Sequence, residues 1–417
     1  MKLEELKNKL ILILGFGQEG RDTFLFLRKI FPDKIIGISD KSESIKKPGT
    51  KTILHLGKNY LKATADYQVI IKSPGIPFKI LPKSALPKII TQTDIFFSAF
   101  APCKRSYGGP SVALREGGDN CPGIIVGVTG TKGKSTTSAL IYAILKEGKI
   151  KAHLVGNIGT PVLSFLSGAK SNDVYVCELS SHQLYNLKKS PHVAVFLNIF
   201  QEHLDYYRDF NEYARAKANI TLHQTKNDFL VFNSQDKIVK KFAEKSKARK
   251  IPIKGEYYEL DKNAARAVGK IFKIKDETIE KAIRRFKPLP HRLELVGTFK
   301  GITFYDDALS TIPETSIFAI KALGDNVQTI MLGGYDRGID FKKLAKKVLE
   351  SKIENIIFFP TTGEKIWRDI KKTGGGKKFK SFFINPEKKS KISNGASNIK
   401  EAVKLAYQYT ERGKICL

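Results

Sequence analysis

The sequence is short of three things, and each shortage excludes a class of protein. It has four cysteines in 417 residues, Cys103, Cys121, Cys177 and Cys416, too scattered for a disulfide framework or a zinc site. A reducing, cytoplasmic setting is expected. No stretch approaches the roughly 18 apolar residues of a membrane-spanning helix, and the first apolar run, 10–14, is too short for a signal-peptide core and leads straight into glycines. A soluble chain without membrane insertion is expected. Acidic residues are scarce as well, 41 against 72 basic ones, for a formal net charge of +31. Such an excess can serve a nucleic acid by displacing counterions from phosphates. Here the lysines are spread along the whole chain and mixed with acids, which describes solvated helix faces, so no nucleic-acid partner is expected. The same positive field suits small anionic substrates.

What is present is α/β alternation. With 41% apolar residues the chain is long enough for two or three domains, each with its own core. Short apolar or β-branched runs at 10–14, 35–38, 52–56 and 69–71 alternate with helical segments, which predicts a parallel sheet with crossover helices. A second block opens at 124–128 and continues through 174–177, 193–198 and 229–232. After a proline-rich joint at 287–290 the alternation resumes at 303–305, 329–332 and 355–359. The fold class is therefore α/β with three domains, 1–97, 98–288 and 289–417, the central one built on a parallel sheet. Segments 103–123 and 371–394, rich in Gly, Pro and Ser or in Lys and Gly, read as insertions or loops.

The strongest local signal is Gly127-Val128-Thr129-Gly130-Thr131-Lys132-Gly133-Lys134-Ser135-Thr136, a glycine loop between a buried-strand pattern and a helical one. Glycines let backbone N–H groups turn inward on phosphates, and the helix start adds positive potential. Lys134 then reaches the terminal phosphates and the Ser135 hydroxyl meets magnesium. The spacing has one residue more than the standard P-loop pattern. Downstream, Glu178 ends one strand run, and His203 and Asp205 follow another. Ligands of open α/β sheets collect at the carboxyl ends of strands, where both clusters fall.

A second glycine loop, Gly15-Phe16-Gly17-Gln18-Glu19-Gly20, lies between a strand and a helix, with Asp40 twenty residues beyond Gly20. Taken alone, that is the dinucleotide fingerprint of a Rossmann-like domain.

Together these residues resemble the Mur ligases, and the resemblance runs over nearly the whole chain. It is carried by Gly130-Thr131-Lys132-Gly133-Lys134-Ser135-Thr136, Gly156-Asn157-Ile158-Gly159, Glu178-Leu179-Ser180-Ser181, Glu202-His203-Leu204-Asp205, Ala216-Lys217-Ala218-Asn219, Pro290-His291-Arg292 and Gly333-Gly334-Tyr335-Asp336-Arg337. Within the family it is similar to the group that adds D-glutamate to UDP-N-acetylmuramoyl-L-alanine in cytoplasmic peptidoglycan synthesis. The resemblance implies Rossmann-like first and third domains around the P-loop domain, ATP and magnesium as cofactors, and a monomer. It implies that Gly130 to Thr136, with Arg292 and Asp307, bind ATP, and that Ser135, Glu178, His203 and a carbamylated Lys217 hold magnesium. By the same resemblance Lys134, Glu178, His203 and Lys217 are expected to carry the catalytic duties. Gly15, Phe16, Gly17, Asp40, Ser73, Gly75, Asn157 and His203 meet the UDP-sugar, and Thr311 and Arg337 the amino acid in a C-terminal domain expected to close about a hinge at 288–290.

The chain also departs from that pattern. Leu309 stands where some members have a lysine, and Tyr258 and Asp261 stand where asparagines commonly meet adenine, with Asn263 close by. The ending, Gly413-Lys414-Ile415-Cys416-Leu417, resembles the start of a buried strand and reads as a truncation that leaves a sheet edge open. Other functions share parts of the pattern: a Mur or folylpolyglutamate-type ligase of other specificity, a catalytically silent UDP-sugar and ATP binder, and an NAD-dependent oxidoreductase, which leaves the P-loop unexplained.

Overall fold

The structure, a computed structural model, describes residues 3–100, 123–157, 160–203, 206–287, 289–336, 338–384 and 396–417. Cys103, Cys121, Ile158, Gly159, Leu204, Asp205, Pro288, Arg337 and most of the 103–123 and 385–395 segments lie outside them. The chain divides into two compact units, Met1–Phe286 and Lys287–Leu417.

The first unit holds two parallel sheets. Its N-terminal sheet is made of β1 (Ile11–Leu14), β2 (Ile36–Asp40), β3 (Thr52–Leu56), β4 (Val69–Lys72) and β5 (Ile89–Ile90), with helices α1 (Gln18–Ile30) and α2 (Gln92–Ala99) between or after them. The strand order is β3-β2-β1-β4-β5, and every pairing is parallel. A parallel strand is covered on both faces, so β1 is apolar at every position and all four residues are buried. Chain direction across the sheet reverses between β1 and β4, which opens a crevice at their carboxyl ends.

The second sheet comprises β6 (Ile124–Thr129), β7 (Ala152–Gly156), β8 (Val174–Glu178), β9 (Val193–Phe196), β10 (Phe229–Asn233) and β11 (Arg249–Ile253). Its order is β11-β10-β9-β6-β8-β7, again all parallel. The helices are α3 (Lys134–Glu147), α4 (Ser181–Leu184), α5 (Phe210–Leu222), α6 (Lys237–Lys245), α7 (Tyr257–Ile271) and α8 (Asp276–Arg285). Side chains alternate across a strand. Ile124, Val126 and Val128 accordingly join one core with Leu140 and Ile144 of α3, Val268 of α7 and Ile279 of α8. Ile125 faces the other way, into a core that also contains Tyr175, Ala214 and Ala218 of α5, and Ile11 and Ile13 of β1. Phe96 and Phe100 meet the Tyr175 ring at 5.6 and 5.3 Å. The two sheets thus share one apolar core, each fully buried aliphatic side chain of which contributes about 1.5–3 kcal/mol.

The second unit carries one mixed sheet, from β12 (Glu294–Phe299), β13 (Ile302–Asp306), β14 (Val327–Gly333), β15 (Asn355–Phe359), β16 (Lys380–Phe383) and β17 (Ile415–Cys416). Helices α9 (Pro313–Leu323), α10 (Lys342–Glu350), α11 (Gly363–Lys372) and α12 (Ala396–Tyr409) complete it. The order is β12-β13-β17-β14-β15-β16, with β12 antiparallel to β13 and the rest parallel. This corrects the expectation of an open edge at the chain end. The last residues enter the middle of the sheet: Thr303 N–H donates to Lys414 O at 3.0 Å, and Leu417 N–H to Thr329 O at 3.0 Å. Cys416 is buried between β13 and β14, and the edges are β12 and β16. Among the described residues no helix is long and apolar enough to cross a membrane.

Candidate active site

The phosphate-loop sequence forms the turn between β6 and α3, and its shape is fixed from both sides. Gly133 has φ +84°, in the left-handed region that favours glycine, and an added Cβ would lie 2.3 Å from Asp261 Oδ1 on α7. Asp261 also accepts the Thr137 hydroxyl at 2.9 Å, so the residue at an adenine-associated position here braces the loop. On the other side the Lys132 N–H donates to Asn198 Oδ1 at 2.9 Å, and Asn198 Nδ2 donates to Lys132 O at 3.1 Å. The Thr131 N–H donates to Asn198 O at 2.9 Å, and the Thr131 hydroxyl meets Tyr213 OH at 2.9 Å. The loop is thus braced by side chains from both flanking elements.

Three of the expected catalytic residues are gathered at this loop. Lys134 Nζ donates to Gly130 O at 3.1 Å and Thr131 O at 2.9 Å, folded back on its own loop. Lys217, on α5, is 2% exposed and donates to Gly130 O at 2.8 Å. Its ammonium also lies 5.0 Å from the Tyr213 ring centre. Burial, helped by the neighbouring Lys134 charge, holds its pKa well below the usual lysine value, against the pull of Glu202 and Glu178. Both effects favour the amine form over the ammonium. Glu178, the last residue of β8, is 1% exposed. Its Oε1 accepts from Asn157 Nδ2 at 3.0 Å, while its Oε2 is buried with no hydrogen-bond partner. A buried carboxylate oxygen left open is costly unless a cation or donor arrives.

His203 sits on left-handed backbone, φ +58°, in a segment where Tyr206 N–H donates back to its carbonyl at 3.0 Å. Its Nε2 lies 3.7 Å from Glu202 Oε2, and the other oxygen of Glu202 lies 3.3 Å from Lys132 Nζ. Glu202 therefore links the phosphate loop to His203. His182 stacks edge-on to His203 at 4.8 Å and to Tyr206 at 4.1 Å. Burial pushes its pKa down to about 3, so it is a neutral ring at physiological pH. Ser135 and Thr136 occupy the first turn of α3, Thr136 buried and Ser135 partly exposed.

The N-terminal glycine loop builds a separate cleft of about 470 Å³ in the crevice beyond β1 and β4. Gly15, Gly17, Glu19, Asp40, Ser73 and Gly75 line it. Gly15, at φ +91°, lets the chain pass Ser73, whose Cβ would be 2.9 Å from an added Cβ. Its carbonyl accepts the Ser73 hydroxyl at 2.8 Å. Asp40 Oδ2 accepts the Phe16 N–H at 2.7 Å. The Phe16 ring itself is buried against Phe24 and takes no part in the lining.

In the second unit Asp307 organises its own surroundings, accepting from Leu293 N–H at 2.9 Å and from the Ser310 hydroxyl. Arg292 and Thr311 are half-buried nearby in sequence, and Leu309 is exposed. Arg337 lies outside the described residues.

Comparison with known proteins fits this geometry. Residues 128–301 match the Mur ligase middle domain. Beyond that segment, the chain is 28% identical, over 99% of its length and 92% of the relative's, to the UDP-N-acetylmuramoylalanine–D-glutamate ligase of Acetivibrio thermocellus. Residues 128–301 thus carry the Mur ligase middle domain, and the likeness to these ligases runs over nearly the whole chain. The chain is also 29% identical, over 97% of its length and 90% of the relative's, to the ligase of the same name from Ligilactobacillus salivarius. Among solved structures, MurF from Acinetobacter baumannii shares its fold with a TM-score of 0.59 at 13% identity, over 97% of this chain and 85% of that one. MurF ligase from Thermotoga maritima, in complex with ADP, does so with 0.57 at 18% identity, over 98% and 90%. These structures show a shared fold; it is the sequence relatives that make the chain an enzyme, a ligase of peptidoglycan synthesis.

Sequence reasoning missed Glu19, Lys72, His182, Asn198, Glu202, Tyr206 and Tyr213 as site residues. Lys72 and Glu202 carried a signal: Lys72 directly follows the apolar run 69–71, and Glu202 opens the Glu202-His203-Leu204-Asp205 motif.

Proposed function

We propose that this chain couples ATP hydrolysis to the addition of D-glutamate to UDP-N-acetylmuramoyl-L-alanine, in the cytoplasm and as a monomer. The observation that carries the reading is the juxtaposition at one phosphate loop of an open buried carboxylate oxygen, Glu178 Oε2, and a buried lysine, Lys217, whose pKa burial pushes down. The names of the relatives support the choice of substrates.

The chemistry divides into two displacements. The carboxylate oxygen of the muramoyl-alanine attacks the γ-phosphorus of ATP while the bond from that phosphorus to the ADP oxygen breaks, giving an acyl phosphate. The amine of D-glutamate, having lost its ammonium proton, then attacks the acyl carbon, and the carbon–oxygen bond to phosphate breaks. Lys134 leaves the carbonyls of Gly130 and Thr131 for the γ-phosphate, and the N–H groups at the start of α3 hold the phosphates. Arg292 and Asp307 are assigned to the nucleotide, and Thr311 and Arg337 to the amino acid.

The donor set fits magnesium, because the unpartnered Glu178 Oε2 is a hard, anionic oxygen of the kind that ion takes. Ser135, Glu178, His203 and Lys217 would hold it, and when bound it supplies positive charge that draws electron density from the γ-phosphoryl oxygens. Lys217 joins that set through carbamylation. Its neutral nitrogen bonds to the carbon of CO2 and a proton is released, which turns a neutral side chain into an anionic oxygen ligand. The Gly15–Gly17 loop, Asp40, Ser73 and Gly75 hold the UDP moiety, and Asn157 aligns both Glu178 and the muramoyl group.

The specificity test offers UDP-N-acetylmuramoyl-L-alanine, ATP and magnesium with D-glutamate, L-glutamate or D-alanyl-D-alanine in turn, and weighs the nucleotide product by mass spectrometry. A product formed with D-glutamate alone is expected. A product with another amine and none with D-glutamate would make the chain a Mur ligase of different specificity.

A further inference from the structure

Lys72 is the residue the mechanism above leaves without a task. It ends β4, is 1% exposed, and stands next to Ser73 in the wall of the cleft. Its Nζ donates to Ser73 O at 2.9 Å, to Ile76 O at 2.8 Å and to Tyr206 OH at 3.4 Å, and it lies 4.6 Å from the centre of the Phe78 ring. Tyr206 reaches the same turn from the second sheet, its hydroxyl lying 3.1 Å from Pro74 O and 3.0 Å from Ile76 O. Tyr206 in turn packs on His182, which packs on His203. The chain of contacts therefore runs from the cleft wall to a proposed magnesium ligand.

We propose that Lys72 is a positioning residue that clamps the 73–77 turn of the UDP-sugar cleft to Tyr206, and so keeps the cleft in register with the His203 segment. The proposal rests on the assignment of the cleft to a UDP-sugar. An interior lysine is a costly way to fill space, and an apolar side chain of that length would pack there as well. Nor is it needed to satisfy the carbonyls. Ser73 O also accepts from Ile76 N–H at 3.3 Å, and Ile76 O from Tyr206 OH. What a lysine supplies is one nitrogen that donates to two carbonyls of the turn and reaches the Tyr206 hydroxyl as well, and, when protonated, a charge opposite to that of buried Glu19, which lines the cleft and holds Gln183 Nε2 at 2.7 Å. Glu19 facing a diphosphate without Lys72 would repel it.

The experiment titrates uridine diphosphate into the whole chain by calorimetry and measures steady-state rates, for wild type, Lys72→Met, Lys72→Arg and Tyr206→Phe. Lys72→Met is expected to weaken diphosphate binding by about tenfold and to raise KM for the UDP-sugar while KM for ATP stays within twofold. Lys72→Arg should recover part of the loss, and Tyr206→Phe, which removes one hydroxyl only, should move the same two quantities in the same direction. Wild-type affinity in both Lys72→Met and Tyr206→Phe overturns the clamp, as does an equal loss for ATP and the UDP-sugar. A wild-type chain that itself ignores uridine diphosphate overturns the cleft assignment instead, which separates the two failures.

Discussion

Lys217 Nζ and the carbonyl of Gly130 are 2.8 Å apart, across 87 residues of sequence and inside a fully buried pocket. That single contact ties α5 to the phosphate loop, while burial, helped by the Lys134 charge, pushes the lysine's pKa down toward the amine form. An amine in that state reacts with carbon dioxide, whereas an ammonium does not.

Replacing Lys217 by arginine keeps a long basic side chain but removes the amine that forms the carbamate. Ligase activity should fall by at least about 10²-fold, and wild-type activity should drop when bicarbonate and carbon dioxide are stripped from the buffer and return when they are restored. Equal rates for wild type and Lys217→Arg would remove the carbamate from the account.

Glu178→Gln preserves shape and an oxygen for Asn157 but takes away the charge. Its expected signature is a raised magnesium requirement, with half-maximal activation moved upward by about 10- to 100-fold, read by titrating the metal at saturating ATP. An unaltered activation curve would place the metal elsewhere.

Gly133→Ala puts a methyl group where Asp261 Oδ1 stands, at a residue with φ +84°. The loop must shift or α7 must, at a cost of about 1–3 kcal/mol. ATP affinity should fall correspondingly, with uridine diphosphate binding at the separate N-terminal cleft unchanged. Loss of both affinities together would indicate global unfolding rather than a distorted loop.

Burial holds Lys72 down to about 7, with Glu19 pulling the other way, against about 10.4 in an unfolded chain. Between those values the unfolded chain binds a proton that the folded chain has released, so this group's contribution to stability rises with pH through that window. Lys72→Met lacks it. The difference in unfolding free energy between wild type and variant, measured in urea at pH 7 and pH 9, should move toward wild type by up to about 1.4 kcal/mol per pH unit. A difference that ignores pH would mean that Lys72 keeps its proton in the folded chain.

The two glycine loops were legible in the sequence because their signal is local: consecutive glycines between a strand and a helix dictate backbone geometry by themselves. The central strands were legible because a parallel strand buried on both faces is apolar along its length, as β1 is throughout and as β6 and β8 are up to their last residues, Thr129 and Glu178. The edges were not. β11, Arg249-Lys250-Ile251-Pro252-Ile253, is largely exposed and tolerates a proline, so it carries no burial pattern. Lys217 alone is an ordinary helix residue; its burial depends on Gly130 and Tyr213, which sequence spacing does not bring near. Glu202 and Tyr206 flank His203 in sequence, yet their tasks depend on Lys132 and on the 73–77 turn. The end of the chain misled because a two-residue strand says nothing about its neighbours, and its place between β13 and β14 is set by pairing on both sides.

The central claim is tested most directly by phosphate release from ATP and magnesium with UDP-N-acetylmuramoyl-L-alanine, with and without D-glutamate, for wild type and Lys134→Ala. Release that requires both substrates and is lost in Lys134→Ala is the predicted result. No release from a wild-type chain that binds uridine diphosphate and ATP would contradict the account and leave a silent binder of the two nucleotides.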